Sequence, residues 1–110
     1  MTINGYQNAA LRTAPDLTMR YLTLNGVLGL CGESGECADM VKKAMFQGHT
    51  LDKEHLAKEL GDVAWYLAVT AFAIGYDLEA VLQMNVDKLR KRYPDGFDAE
   101  RSQNREEGDV

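Results

Sequence analysis

Two short stretches carry carboxylates at helical spacing, Gly32-Glu33-Ser34-Gly35-Glu36 and Glu59-Leu60-Gly61-Asp62. In each, two acids stand three residues apart, so on an α-helix they share one face, about one turn apart. Two such helices packed antiparallel would bring all four carboxylates to one point. Four anionic groups in a partly apolar setting repel one another unless a cation lies between them. An all-oxygen donor set suits a hard divalent ion, Mg²⁺ or Mn²⁺, rather than zinc. Such an ion retains waters, accepts substrate phosphates into its shell, and both activates water and neutralises a phosphoryl oxygen. Phosphoryl chemistry is therefore the favoured reaction class. One acid pair in a chain with 17 acidic residues would be no more than a solvated face. The inference rests on two pairs, each beside an apolar stripe and next to glycine.

Other constellations are weaker. Carboxylate-bridged di-iron bundles use Glu-x-x-His on two helices. Here His49 has Phe46 three residues before it, and His55 has Asp52, without a second pair. Cys31 and Cys37 lack companions at zinc-ligand spacing and a histidine at predictable reach, so they read as free thiols. Neither a Gly-x-x-x-x-Gly-Lys phosphate loop nor a dinucleotide fingerprint is present. Asn85, Lys88 and Arg92 share one helical face and could hold phosphate. On spacing alone, a solvated face near a helix C-terminus explains them better. Lys43 lies two turns after Glu36 on the same face, placed either to reach phosphate or to relieve acidic repulsion; Lys42 points away. Of the aromatics Trp65, Tyr66 and Phe72, Tyr66 is best placed to stack on a base, one turn beyond Asp62. A core role is the simpler reading of each.

The elements that must position these residues are helical throughout. Residues 3–12 form a short helix, ended by Ala14-Pro15-Asp16. Asp16 or Thr18 caps a second helix over residues 19–47, with Leu22, Leu30, Cys37, Val41 and Ala44 on one side. Gly26, Gly29, Gly32 and Gly35 interrupt it every third residue, each costing roughly 1 kcal/mol relative to Ala. A close-approaching backbone or ligand would account for that cost; a helix broken near Gly26 is the alternative. Asp52 caps a third helix reaching about Ile74, with the stripe Leu56, Leu60, Val63, Leu67, Ala71, Ile74. Asp77 caps a fourth, Leu78 to about Tyr93, with Val81, Leu82, Val86 and Leu89 inward. No strand, internal repeat or low-complexity signal occurs. The expected fold is all-α, an antiparallel bundle of about four helices with short connections.

Composition sets the bounds. With 110 residues, 45% apolar and 26% charged, the chain reads as one soluble domain over 1–98. Residues 99–110 form a polar tail expected to be disordered. A net charge of −5 argues against a generic grip on nucleic acid or anionic membrane. Without a signal-like N-terminus or an apolar run of membrane-spanning length, a cytoplasmic location is expected.

Three motifs then resemble a known family. Gly29-Leu30-Cys31-Gly32-Glu33-Ser34-Gly35-Glu36 with Asp39 and Lys42-Lys43 is similar to the first motif of MazG-like nucleoside triphosphate pyrophosphohydrolases. Glu59-Leu60-Gly61-Asp62-Val63-Ala64-Trp65-Tyr66-Leu67 resembles the second. Asn85-Val86-Asp87-Lys88-Leu89, with Arg92-Tyr93-Pro94-Asp95-Gly96-Phe97, resembles the third. The resemblance covers residues 24–97. It implies a Mg²⁺-dependent all-α enzyme (Mn²⁺ as substitute) that cleaves standard or damaged (d)NTPs between the α- and β-phosphates, releasing monophosphate and pyrophosphate. It further implies that Glu33, Glu36, Glu59 and Asp62 are the catalytic metal ligands. One of them, or the metal, would prepare the attacking water. Lys43, Asn85, Lys88 and Arg92 would hold phosphate, and a second subunit would help to build the site in a homodimer or homotetramer. Gly32 departs from the pattern, since many members carry another Glu there; the Glu-x-x-Glu core is intact. Related bundles hydrolyse phosphoribosyl-ATP, which is the nearest alternative. A non-catalytic helical interaction module is the alternative from another class.

Overall fold

The computed structural model describes residues 1–110 and is all-α, with five helices and no strand: α1 (Ile3–Leu11), α2 (Met19–Phe46), α3 (Lys53–Ala73), α4 (Leu78–Arg92) and α5 (Ala99–Gln103). Short polar side chains set the helix starts by accepting orphan backbone N–H groups. Thr2 caps α1, Thr18 caps α2, Asp52 caps α3 and Asp98 caps α5. The chain divides into two compact units, Met1–Leu78 and Glu79–Val110. No single helix is long and apolar enough to cross a membrane.

In the first unit, α2 and α3 pack antiparallel. Gly26 faces Thr70, Gly29 faces Tyr66, and Glu33 stands by Glu59 and Asp62, so positions rise on one helix as they fall on the other. The glycine spacing is explained at its first two positions. A Cβ at Gly26 would overlap Thr70 Oγ1, and one at Gly29 would overlap the Tyr66 ring. The helix is not broken there; it runs unbroken through all four glycines. Gly32 and Gly35 have open space beside them, next to the acidic pairs.

Helix α1 lies across α3 and is latched by polar side chains. Buried Gln7 donates from Nε2 to Ala68 O and Tyr76 O, both at 3.1 Å, and accepts from Leu78 N at 3.0 Å. The Trp65 indole donates to Ala10 O (3.1 Å) and Thr13 Oγ1 (2.9 Å). Around these bonds the core gathers Ala10, Leu22, Ala68, Val69, Ala73 and Leu78. That set corrects the single stripe expected on α3. Leu60 and Ile74 are 55% and 56% exposed, while Ala68 and Val69 are fully buried. The reason is that α3 touches both α1 and α2, so burial follows two contact faces rather than one periodic line. On α2, Val41 is likewise exposed.

In the second unit, α4 leads through the Pro94–Gly96 turn into α5. Leu82, Val86 and Leu89, expected to point inward, are exposed, because this polar segment supplies little apolar surface to cover them. The tail expected to be disordered carries α5, whose first N–H groups are taken up by Asp98. Beyond α5, Asp109 pairs with Arg92. Local capping and one ion pair order a segment whose composition offers no hydrophobic reason to fold.

Candidate active site

Four carboxylates come from the middle of α2 and the first half of α3. The short connection after α2 and the Asp52 cap, accepting from His55 N at 3.0 Å, fix where α3 begins. The antiparallel register then sets Glu59 and Asp62 opposite Glu33. One oxygen from each of Glu33, Glu59 and Asp62 lies within 4.8 Å of the others. Glu36 reaches Glu59 from the next turn of α2. The two acid pairs expected to converge therefore do so, with Glu36 at the edge of a closer trio.

The electrostatics of this cluster are unbalanced. Glu33 Oε2 and Glu59 Oε2 are both buried and accept no hydrogen bond, although buried polar atoms are nearly always partnered. The Glu33 carboxyl is pushed up to about 7. Sharing a proton with Glu59 is the main cause, followed by desolvation and by the charges of Glu36, Glu59 and Asp62. Glu59 moves the opposite way, held down as the acceptor of the shared proton and by contacts with Glu36 and His55. One proton between two carboxylates does weakly what a cation would do fully. The all-oxygen trio and its orphaned oxygens thus fit a hard divalent ion.

Around the cluster, His55 Nε2 lies 3.1 Å from Glu59 Oε1, one turn before it on α3. Sequence reasoning missed this contact because it sought histidine only at Glu-x-x-His spacing. His55-x-x-x-Glu59 was the available signal, a pair four residues apart on one face. Tyr6 was also missed. Its hydroxyl donates to Gly61 O at 3.5 Å, and it is shifted upward by burial and by the charge of Asp62. Only the tertiary fold brings α1 to this point.

The acids border two clefts. One, of about 390 Å³, is lined by Glu36, Glu59, His55, Asp39 and Lys43. In it Lys43 lies 2.8 Å from Asp39, which also pairs with Lys42 at 3.3 Å; the two lysines, Lys43 foremost, hold the Asp39 carboxyl below its usual range. Lys42, expected to point away, shares this pair. The other cleft, about 450 Å³, is lined by Glu33, Asp62, Thr13, Trp65 and Tyr66. Tyr66 packs over Gly29 and edge-on to Trp65, ring centroids 4.9 Å apart, while contributing to the cleft wall.

Asn85, Lys88 and Arg92 belong to α4 of the second unit. There Arg92 grips Asp109 with two hydrogen bonds, Nε to Oδ2 at 2.8 Å and Nη2 to Oδ1 at 2.7 Å. This pairing, and the partial burial of Arg92 with it, were not legible in a tail read as disordered.

Comparison with known proteins adds the family. Residues 23–97 match the MazG nucleotide pyrophosphohydrolase domain. The "Gene 37 protein" of Mycobacterium phage L5 is 39% identical over 69 residues, covering 59% of this chain and 60% of the relative. The match thus spans less than two thirds of that relative's length. No solved structure matches.

Proposed function

Because this chain belongs to the MazG nucleotide pyrophosphohydrolase domain family, we propose that it is a metal-dependent enzyme hydrolysing (d)NTPs between the α- and β-phosphates. The observation that carries this reading is the pair of buried, unpartnered oxygens on Glu33 and Glu59 beside Asp62. Glu33, Glu59 and Asp62, with Glu36 at the edge, would hold Mg²⁺, or Mn²⁺ in its place. When bound, the ion supplies Lewis-acid stabilisation of phosphoryl charge and lowers the pKa of water. His55 orients Glu59 through their contact, as partners outside the ligand set commonly do.

A carboxylate of the cluster accepts the proton of the attacking water as its oxygen bonds to phosphorus. A bond of the α–β bridging oxygen breaks as the bond from the water oxygen to phosphorus forms, and nucleoside monophosphate and pyrophosphate are released. Lys43, Asn85, Lys88 and Arg92 hold the phosphates and stabilise charge developing in the transition state. Lys43 is released from Asp39 to do so. Tyr66, at the wall of the Glu33–Asp62 cleft, is placed to contact the base. The protein acts as a homodimer or homotetramer; Tyr21, Leu24 and Leu28, exposed at helical spacing on α2, support that assembly.

The test is product analysis with a panel of ribo- and deoxyribonucleoside triphosphates, in Mg²⁺ and in chelator. Monophosphate and pyrophosphate formed only with metal is the expected result. Orthophosphate and diphosphate would assign a different bond. No turnover of these or of phosphoribosyl-ATP would leave a helical interaction module and end the enzymatic reading.

A further inference from the structure

The second unit contains an anion clamp that its own chain fills. Arg92 presents one edge of its guanidinium, Nε and Nη2, to both oxygens of Asp109 at 2.8 and 2.7 Å. The Arg92 side chain is 9% exposed and that of Asp109 17%, so this is no solvated surface pair. Arg105 and Lys88 add their charges, and together with Arg92, the largest influence, they hold the Asp109 carboxyl below its usual range. The clamp borders a cleft of about 310 Å³ to which Lys91 and Arg101 also contribute, with five cationic side chains against three acidic ones. Asp109 is delivered by a tight turn. Its N–H donates to Glu106 O at 3.1 Å, and Gly108 takes φ +85°, a conformation side-chain-bearing residues rarely adopt.

A guanidinium fork receives a phosphate in the same two-point geometry as a carboxylate. The surplus of cations over carboxylates in this cleft favours a more highly charged anion. We propose that Asp109 is an internal stand-in for a phosphate group, and that residues 104–110 form a strap which a di- or triphosphate displaces from Lys88, Arg92 and Arg105. This rests on the reading above that Lys88 and Arg92 hold phosphate. It adds Arg105 to the site and gives the tail a gating role. A competitor that closes the site nine-tenths of the time weakens apparent affinity about tenfold.

The experiment uses the full chain in chelator at fixed ionic strength, so that no turnover intervenes. Binding of inorganic tripolyphosphate and of pyrophosphate is measured by calorimetry, and amide exchange is followed over residues 104–110. Asp109→Asn is expected to tighten tripolyphosphate binding about tenfold. Gly108→Val, which strains the turn, is expected to shift affinity in the same direction. Ligand should speed exchange at the tail amides of the unmodified chain. Glu107→Gln makes the same change in charge on the same cleft without touching Arg92, and is expected to have a far smaller effect. Equal tightening by Glu107→Gln and Asp109→Asn would reduce the effect to net charge and overturn the proposal. So would unchanged affinity in Asp109→Asn, unchanged tail exchange, or no binding of either anion. Preference for tripolyphosphate assigns the site to the substrate, and equal affinity for pyrophosphate assigns it to the released product. Failure here alongside normal metal-dependent NTP hydrolysis would remove the strap and leave the enzymatic reading standing.

Discussion

At the scale of single residues, the proposed function places the reaction on the acidic cluster. Removing charge from one carboxylate without changing its shape should silence turnover and spare the fold. Glu36→Gln and Asp62→Asn are each expected to lower kcat by roughly 10²-fold or more, with an unchanged far-UV circular dichroism spectrum. Full activity in both would take the cluster out of the mechanism. Glu33 makes a second prediction, in pH. Its folded pKa of about 7 lies above the ordinary value of 4.5, so between those values the folded state holds more proton than the unfolded state. Metal-free stability from this group is then fully present below about 4.5 and declines as pH rises through 7. Glu59 is shifted downward, so its contribution is lost only in acid, outside this window. In chelator, the melting temperature of the wild type should fall relative to Glu33→Gln between pH 5.5 and pH 8. Parallel melting curves would mean that Glu33 and Glu59 do not share a proton.

At the scale of elements, the seam between α2 and α3 sets the geometry. Gly29 is small because the Tyr66 ring occupies the place of its side chain. Gly29→Ala should therefore cost about 1–3 kcal/mol by overpacking, despite alanine's better helix propensity. Gly32→Ala, with open space beside it, should be neutral or stabilising by up to about 1 kcal/mol. Chemical denaturation of the two variants checks the contrast; equal effects would mean that helix propensity, not packing, decides. Much of this element-level order was readable in advance. Asp52 caps α3, and the acid pairs at i and i+3 do face a partner helix. The regular Gly-x-x-Gly spacing suggested close approach, but could not say that side chains would fill two positions and leave two open. The α3 stripe was misplaced because a periodic line describes one contact, and α3 makes two.

At the scale of the whole molecule, the family match runs across both compact units, from residue 23 to residue 97. The proposed ligands lie in the first and Asn85, Lys88 and Arg92 in the second. A ligand that binds only the native state raises its melting temperature. Mg²⁺ should therefore stabilise the protein, and a non-hydrolysable triphosphate should increase that effect. Additive shifts without synergy would argue that metal and phosphate occupy unrelated sites. Assembly gives the last prediction. Leu24→Asp with Leu28→Asp, placing charge on an exposed apolar face of α2, should lower the mass seen by sedimentation to that of one chain. An unchanged multi-chain mass would move the proposed interface to another face, and a single-chain mass for the unmodified protein would end the proposal of an oligomer.

The sequence by itself determined the first four helices, the caps at Thr18 and Asp52, the two acid pairs and the three motifs of the family, because each is a local pattern read along one stretch of chain. Tertiary structure decided what depends on elements distant along the chain. It turned Tyr6 toward Gly61 next to Asp62, left one oxygen each of Glu33 and Glu59 without a partner, and joined Asp109 to Arg92. Spacing along a helix fixes which residues share a face. Which charges are stranded, shared or answered depends on what that face meets.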